Sequence, residues 1–388
     1  MSSKPGKTGT TRKPFRNAGR TVVRNAAKGE LHAPAPTIRD VAARAGVATA
    51  TVSNVLTGQR HVAADRRRSV LEAVDALGYQ PNHLAASLRR QDTRTIGIVV
   101  PDLTNPFFAE LVHRIEGLAA ASGYQILLVD SSNDVEREAS RTRALLARKI
   151  DGLILVPTRD ALPALNPRLP LPATILVDRG YGLAGFDTVQ ADNEDACYRG
   201  CRHLLQLGHR DIAFLVSTDV LANIRDRISG YRRALADTGS SGHERVVIGG
   251  ASVESCRGAI EQELRRADRP SAVFAATYDA TLGAIKAIRA VDLAFPEDVS
   301  LLGFDDFDWM TVLRPYVSTI SQPIDAMAAS AWRLLGARLQ DGAGRTGNAK
   351  RNANAKRNAN ARIRLPCTLQ LRESTRPAAS AVKRRRYG

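Results

Sequence analysis

Four apolar runs in this 388-residue chain end on side chains able to hold a ligand. TIGIVV is followed by Asp102, Asn105, Phe107 and Phe108, ATILV by Asp178 and Arg179, VFAATY by Asp279, and LLGF by Asp305 and Asp306. Carboxylates accept from hydroxyls, a guanidinium fork bridges two oxygens, and aromatic faces stack on rings. The mixture suits a small polyhydroxylated ligand, with Trp309 as a candidate stacking wall. A turn carboxylate or a core aromatic is the alternative for each. Asp305 and Asp306 also invite acid–base chemistry, but neighbours on a strand point to opposite faces and cannot flank one bond. No G-x-S-x-G, phosphate-binding lysine loop, H-E-x-x-H or G-x-G-x-x-G after a strand accompanies them, so an enzyme is the poorer reading. Cys197, Cys201 and His203 lie close in sequence, yet only the two cysteines share a helical face and no second ligand pair follows at zinc spacing. No metal and no cofactor is expected.

A second set of residues could read a surface instead of a small molecule. In TIRDVAARAGVATATVSNVLTG, residues 37–58, Ile38, Val41, Ala42 and Ala45 mark one face of a helix. Thr37 is placed to cap it, Asp40 lies three residues on, and Gly46 ends it. Val52, Val55 and Leu56 resume the period, so Thr49, Ala50, Ser53 and Asn54 form a small, polar outer face. Val70, Leu71, Val74 and Leu77, closed by Gly78, make a third amphipathic segment. Two helices about a short glycine turn, followed by a third, describe a helix-turn-helix. Spacing alone fits an ordinary three-helix corner equally well.

The elements that must position the first set begin at Thr95. TIGIVV, YQILLVD, DGLILVP, ATILVD, DIAFLV, SAVFAA and VSLLGFD are short β-rich runs, separated mostly by helical stretches such as FFAELVHRIEGLAAAS and EDACYRGCRHLLQLG. Alternating strand and helix predicts parallel sheets covered on both faces, here two of them. Ligands in open parallel sheets sit at the carboxyl ends of strands. Pro81 stops the helix before it, and Asn82 can cap a short helix bearing Leu84 and Leu88.

The continuation VLTGQRHVAADRRRSVLEAVDALGYQPNHLAASLRR, with TRTIGIVVPDLTNPFFAELVHRIEGLAAASGYQILLVDSSND, LLARKIDGLILVP, HLLQLGHRDIAFL, PEDVSLLGFDDFDWM and RPYVSTISQP, resembles the LacI/GalR family of bacterial transcription regulators. The resemblance covers residues 37–376 in order. It implies an all-α headpiece, a hinge helix, and an α/β core of two Rossmann-like subdomains of the periplasmic-binding-protein type. The implied domains are a headpiece at 37–80, a hinge at 81–94 and a core at 95–376, the chain crossing between subdomains near Gly180, near Pro323 and near the last strand. The implied DNA contacts are Thr37, Ile38, Thr49, Ala50, Thr51, Ser53, Asn54 and His61, with Asn82, Ala85 and Leu88 in the hinge, where Leu88 takes the wedge position in the minor groove. The implied effector residues are Asn105, Phe107, Phe108, Asp178, Arg227, Asp279, Asp305 and Trp309, Arg227 standing at the family's cleft arginine. The implied function is a sequence-specific regulator, read as a repressor. It would bind a pseudo-palindromic operator as a homodimer and respond to a sugar or sugar derivative, which could release it or tighten it. One departure is Ala48, where the family has a capping serine; Thr49 is the candidate substitute.

Charge agrees independently. The net +17 is distributed as +7 over residues 1–36, +4 over 37–95, −6 over 96–341 and +12 over 342–388. Basic ends and a basic headpiece on a mildly acidic core are the footprint of a polyanion-binding protein. Residues 1–36 lack apolar periodicity and read as a disordered basic extension. A repeated N-A-K-R-N-A block predicts a disordered basic insertion at 342–362, and 377–388 reads as a basic tail. No run approaches ~18 apolar residues and no signal-peptide core follows the basic start, so a cytoplasmic, nucleoid-associated protein without a membrane partner is expected. The missing leader and the added headpiece both argue against a transport-type sugar-binding protein.

Overall fold

A computed structural model describes residues 36–58, 61–80, 92–159, 161–162, 171–180, 183, 185–312, 314–343 and 360–378. The chain divides into two compact units between residues 83 and 84.

In the first unit, α1 (Ile38–Ala45), α2 (Thr49–Thr57) and α3 (Ala64–Leu77) follow the predicted bounds. The Asp40 carboxylate accepts both the backbone N–H and the hydroxyl of Thr37 at 2.7 Å, and these bonds hold its pKa below the ordinary value. Gly46, at φ 65, takes the left-handed turn that releases the chain into α2. Val41, Val52 and Val70 are fully buried at the centre. Leu71 is a correction to the expected face: it is 44% exposed, and Ala73 is buried in its place. The stripe that packs is 70, 73, 74, 77, and residue 71 lies about 100° around the helix from it.

The second unit holds two six-stranded sheets. The first has the order β11-β5-β4-β3-β1-β2, from β1 (Thr95–Val100), β2 (Gln125–Asp130), β3 (Gly152–Leu155), β4 (Ala173–Val177), β5 (Asp187–Ala191) and β11 (Arg362–Leu365). The second has the order β12-β10-β9-β8-β6-β7, from β6 (Ile212–Val216), β7 (Glu244–Ile248), β8 (Ala272–Ala275), β9 (Ser300–Phe304), β10 (Ser318–Ser321) and β12 (Thr368–Gln370). Strand pairing is parallel throughout except for β12 against β10. The helices α4 (Pro106–Ala121), α5 (Val135–Ala147), α6 (Asn193–Gln206), α7 (Ala222–Asp237), α8 (Val253–Leu264), α9 (Tyr278–Ala290) and α10 (Ile324–Ala343) cover the faces. Central strands such as β3, β6 and β8 are buried along their whole length, which is why they read as unbroken apolar runs.

The chain passes between the sheets three times, and one passage corrects the expectation. Gly180 lies in the β4–β5 connection inside the first sheet; the crossing comes after β5, at Asp192, whose N–H donates to Leu365 O on β11. The other two fall as expected, at Gln322–Pro323 and at Pro366–Cys367. Three boundaries also move. Thr93 bonds to Asp151 at 2.9 Å, so the core begins before 95. α10 runs to Ala343 and β11 starts at Arg362, leaving at most 344–361 for the basic insertion. A single buried carboxylate on β5 sets both ends: Asp187 takes Arg338 of α10 at 2.8 and 2.9 Å and the Ala361 N–H at 2.7 Å. At the far end Ala378, whose N–H donates to Leu207 O, is buried, so the core extends past 376. The N-terminal extension, the repeat itself, the hinge residues Asn82, Ala85 and Leu88, and the tail beyond 378 lie outside the described residues.

Candidate functional site

The carboxyl ends of both sheets face one cavity of about 310 Å³. β1 contributes the turn with Asp102 and the N-terminus of α4, β4 contributes Asp178 and Arg179, β9 contributes Asp305, and α7 and α9 bring Arg227 and Asp279. Seven of the eight expected effector residues line it together.

Two of them hold their backbone in the left-handed region. Asp178 at φ 63 and Asp305 at φ 68 each follow the last residue of a buried strand, and both side chains are buried. Aspartate tolerates this conformation better than most residues, and such strain clusters at ligand sites. Asp305 Oδ1 accepts from Gln322 Nε2 at 2.6 Å; burial pushes its carboxyl up to about 6, against the pull of Arg227 and Gln322. Arg227 lies 3.6 Å over the Phe304 ring and donates from Nε to Asn193 Oδ1 at 2.8 Å and from Nη1 to Ala276 O at 2.7 Å. Asn193 and Gln322 border two of the crossings, so both central charges of the cleft are tied to chain that passes between the sheets. Asp306 turns away from the cavity into a bidentate pair with Arg372 at 2.7 and 2.8 Å, but not by the strand alternation expected for the pair: β9 ends at Phe304, and it is the left-handed backbone at Asp305 that separates the two carboxylates.

Asp178 Oδ2 accepts from Asn223 Nδ2 at 3.3 Å, a bond from the first subdomain to the second. Arg179 stacks 5.7 Å from the Phe108 ring and donates to Asn133 Oδ1 at 3.2 Å. Asn105 caps α4, its side chain accepting from Phe107 N at 3.0 Å, and Phe107 and Phe108 meet edge to face. Asp279 is half-buried; burial and the neighbouring Asp102 push its carboxyl up.

Trp309 is the exception. It sits in a single 3₁₀ turn, Asp308–Thr311, packed on the apolar cluster of β6, β8 and α8–α9, and is not among the lining residues. Tyr278, edge-on to Phe307, provides the aromatic wall on that side. Asn133, Thr158, Ser217, Asn223, Tyr278 and Gln322 line the cavity without having been singled out from sequence. For Gln322 a signal was present, a polar side chain between the run STIS and a proline; for Asn223, on a helix without an apolar marker beside it, none was.

In the headpiece, Thr49 and Ala50 are exposed at the start of α2, Thr51, Ser53 and Asn54 are half-buried on it, and His61 is exposed. Thr37 is exposed and engaged with Asp40, while Ile38 packs partly on the headpiece core. Ala48 stands at the N-cap with no side chain to cap, and Thr49 is already the first helical residue, so the expected substitution of one for the other does not occur.

The bacterial regulatory protein, lacI family, model matches residues 37–82, and the periplasmic binding protein-like domain model matches 201–375. The HTH-type transcriptional repressor PurR of Photobacterium profundum is 32% identical over 309 residues, covering 79% of this chain and 92% of that protein. Among solved structures, the lac repressor dimer bound to operator and an anti-inducer is 26% identical, with a TM-score of 0.74 over 88% of this chain and 100% of that one. A LacI family transcriptional regulator from Enterococcus faecium with bound ribose is 27% identical, with a TM-score of 0.62 over 73% of this chain and 99% of the other.

Proposed function

Because this chain belongs to the LacI family of bacterial regulatory proteins, we propose that it is a repressor whose operator affinity is set by a small molecule in the cleft between its two core subdomains. The observation that carries this is the union, in one chain, of a helix pair with a small polar outer face and a core whose strand ends converge on one polar cavity. It is a DNA-binding transcription regulator and not an enzyme.

Two copies place two α2 helices in successive major grooves, and a two-fold protein demands a two-fold site. Thr49, Ala50 and Asn54 read base edges; Thr51 and Ser53 act on phosphates or packing. The hinge at 81–94, with Leu88 as its wedge, enters this reading from the family resemblance alone. The free edges β2 and β7 each expose an aliphatic side chain, Leu128 and Ile248, which a second copy can cover. The effector, a sugar or sugar derivative, shifts the closure of the subdomains only through its differential affinity for two states. No helix among the described residues is long and apolar enough to cross a membrane, in keeping with a protein at chromosomal DNA in the cytoplasm.

Selection from random duplexes by the full-length protein tests this. The expected product is an inverted repeat, and Asn54→Ala changes the base preferred at one half-site position by about 1–3 kcal/mol. An unchanged sequence preference removes Asn54 from the reading surface; failure to enrich any sequence overturns the regulator reading.

A further inference from the structure

In a parallel sheet all amino ends lie on one side, so the end of the first subdomain opposite the cleft is where β1, β3, β5 and β11 begin. The chain coming from the headpiece enters the core here. Thr93 donates its N–H to Asp151 at 2.9 Å and its hydroxyl to Lys149 O at 2.9 Å, which fastens the entry point to the turn between α5 and β3. That turn presents Arg148 and Lys149, both exposed and, among the described residues, without an ion-pair partner. Acids at this end are occupied: Asp92 pairs with Arg94 at 3.4 Å, Asp151 holds Thr93, and Asp187 takes Arg338.

The backbone at this corner is strained around its cations. Lys149, just past the end of α5, has φ 55, and Arg94, next to the entry point, has φ 47. Glycine or asparagine is usual at such positions. Burial of Ile150 and the bonds of Thr93 and Asp151 fix the turn, yet none of them calls for a lysine side chain at 149. A long cation where a smaller residue would fold at lower cost points to a partner outside the chain. A second basic element is tied to the same end. Residues 344–359, between α10 and β11, carry Arg345, Lys350, Arg351, Lys356 and Arg357 and no acid. β11 lies three strands from β3, or ~15 Å at ordinary strand spacing. Fixed at both ends, the chain from 344 to 359 can reach at most ~27 Å from its anchors.

Resting on the regulator reading, we propose that the amino end of the first subdomain is a second DNA contact, made to phosphates and not to bases. Arg148 and Lys149 meet the backbone of the duplex that the headpiece holds, and the basic segment 344–359 extends the contact to flanking base pairs. Connectivity supplies the proximity. Residues 81–91 join the headpiece to the entry point and span at most ~40 Å, about one turn of duplex. The turn at 148–151 is too short to enter a groove, so its cations suit phosphates. Duplex DNA is the favoured polyanion because the chain that enters at Thr93 carries the DNA-reading headpiece at its other end. Such a contact lengthens the bound site without altering its sequence preference.

The test is binding of the full-length protein to its selected duplex, with and without about ten flanking base pairs on each side, from about 50 to about 200 mM salt. One variant combines Arg148→Gln with Lys149→Asn, asparagine being at ease in the left-handed region. The other replaces all five cations of 344–359 by glutamine. Each lost phosphate contact reduces the slope of log affinity against log salt by about 0.9. For a dimer the first variant is expected to lose about 2–4 in slope, and at least about tenfold in affinity at about 100 mM salt, on both duplexes. The second is expected to lose a comparable amount on the flanked duplex alone. Base preference and effector binding stay those of wild type, and the thermal transition does not fall. A wild-type slope for the first variant overturns the contact, and a wild-type slope for the second on flanked duplex overturns its extension. Weaker binding at unchanged slope marks a structural role and overturns the proposal as well. So does lost affinity for single-stranded RNA with duplex binding intact. If selection yields no preferred sequence, the same titration on random duplex still reports on these cations, so failure of the regulator reading and failure of this contact are separable.

Discussion

Asp305 is held in the left-handed region at the end of a buried strand, and its charge is opposed by burial and supported by Arg227 and Gln322. The balance leaves its carboxyl at about 6, above the ordinary 3.8. The folded protein therefore binds more protons at this site than the unfolded chain across the interval from about 4 to 6. The stability Asp305 contributes is fully present below the lower value and is lost as pH rises through the upper one. Asp305→Asn keeps an acceptor for Gln322 and removes the titration. Urea unfolding midpoints measured between pH 4.5 and 6.5 should fall more steeply for wild type than for this variant; parallel curves would show that Asp305 does not titrate there. Effector binding runs the other way, because an ionised carboxylate is the better acceptor, so affinity should rise from pH 5 to 7. Residue types at strand ends marked this site in the sequence. Trp309 shows the limit: proximity to Asp305 along the chain did not predict which way a 3₁₀ turn would direct the ring.

At the scale of elements, α6 and α7 carry Asn193, Asn223 and Arg227 to the cleft, and their spacing depends on one missing side chain. A Cβ at Gly230 would lie 2.1 Å from Glu194 O and 2.8 Å from Tyr198 N, both backbone atoms of α6. Neither can yield without moving the helix. Gly230→Ala should destabilise the protein by about 3 kcal/mol and weaken effector binding, read by chemical denaturation and calorimetry. Gly258→Ala on α8, where a Cβ meets nothing within 4 Å, should instead stabilise by about 0.5–1 kcal/mol. A destabilised Gly258 variant or a neutral Gly230 variant would refute this account of the helix contact. Nothing in the string RISGY distinguishes this glycine from a tolerated one. The strands β5, β7, β10 and β12 were equally hard to see: ERVVI and TLQ lie at sheet edges, where no apolar run is demanded, while DTVQA and STIS are interior and buried but carry polar side chains satisfied within the fold, Asp187 by Arg338 and Ser318 by the Arg372 N–H.

For the whole molecule, the consequence of two identical headpieces is geometric. Once a preferred duplex is known, inserting five base pairs at its centre turns the half-sites by about half a helical turn relative to each other. Specific affinity should then fall by about a hundredfold or more toward the nonspecific level. Gel-shift titration at fixed salt measures this, and unchanged affinity would mean that the two headpieces do not bind as a rigid two-fold pair. Salt must be held constant because sequence-independent attraction between basic side chains and phosphates falls steeply with ionic strength.

Periodicity and chain-order patterns determined a three-helix headpiece with an outward polar face, two sheets of alternating strand and helix, and a ligand site at strand ends. These are local consequences: the period of apolar residues sets helix or strand, and the parallel order sets which strand ends converge. The resemblance placed Arg227 among the cleft residues. Only the tertiary structure decided that the first crossing lies at Asp192 and not at Gly180, that Tyr278 and not Trp309 lines the cavity, and that Asn223 and Gln322 line it as well. Each of these depends on contacts between segments tens of residues apart, where packing of the two subdomains fixes side-chain direction and no pattern along the chain records it.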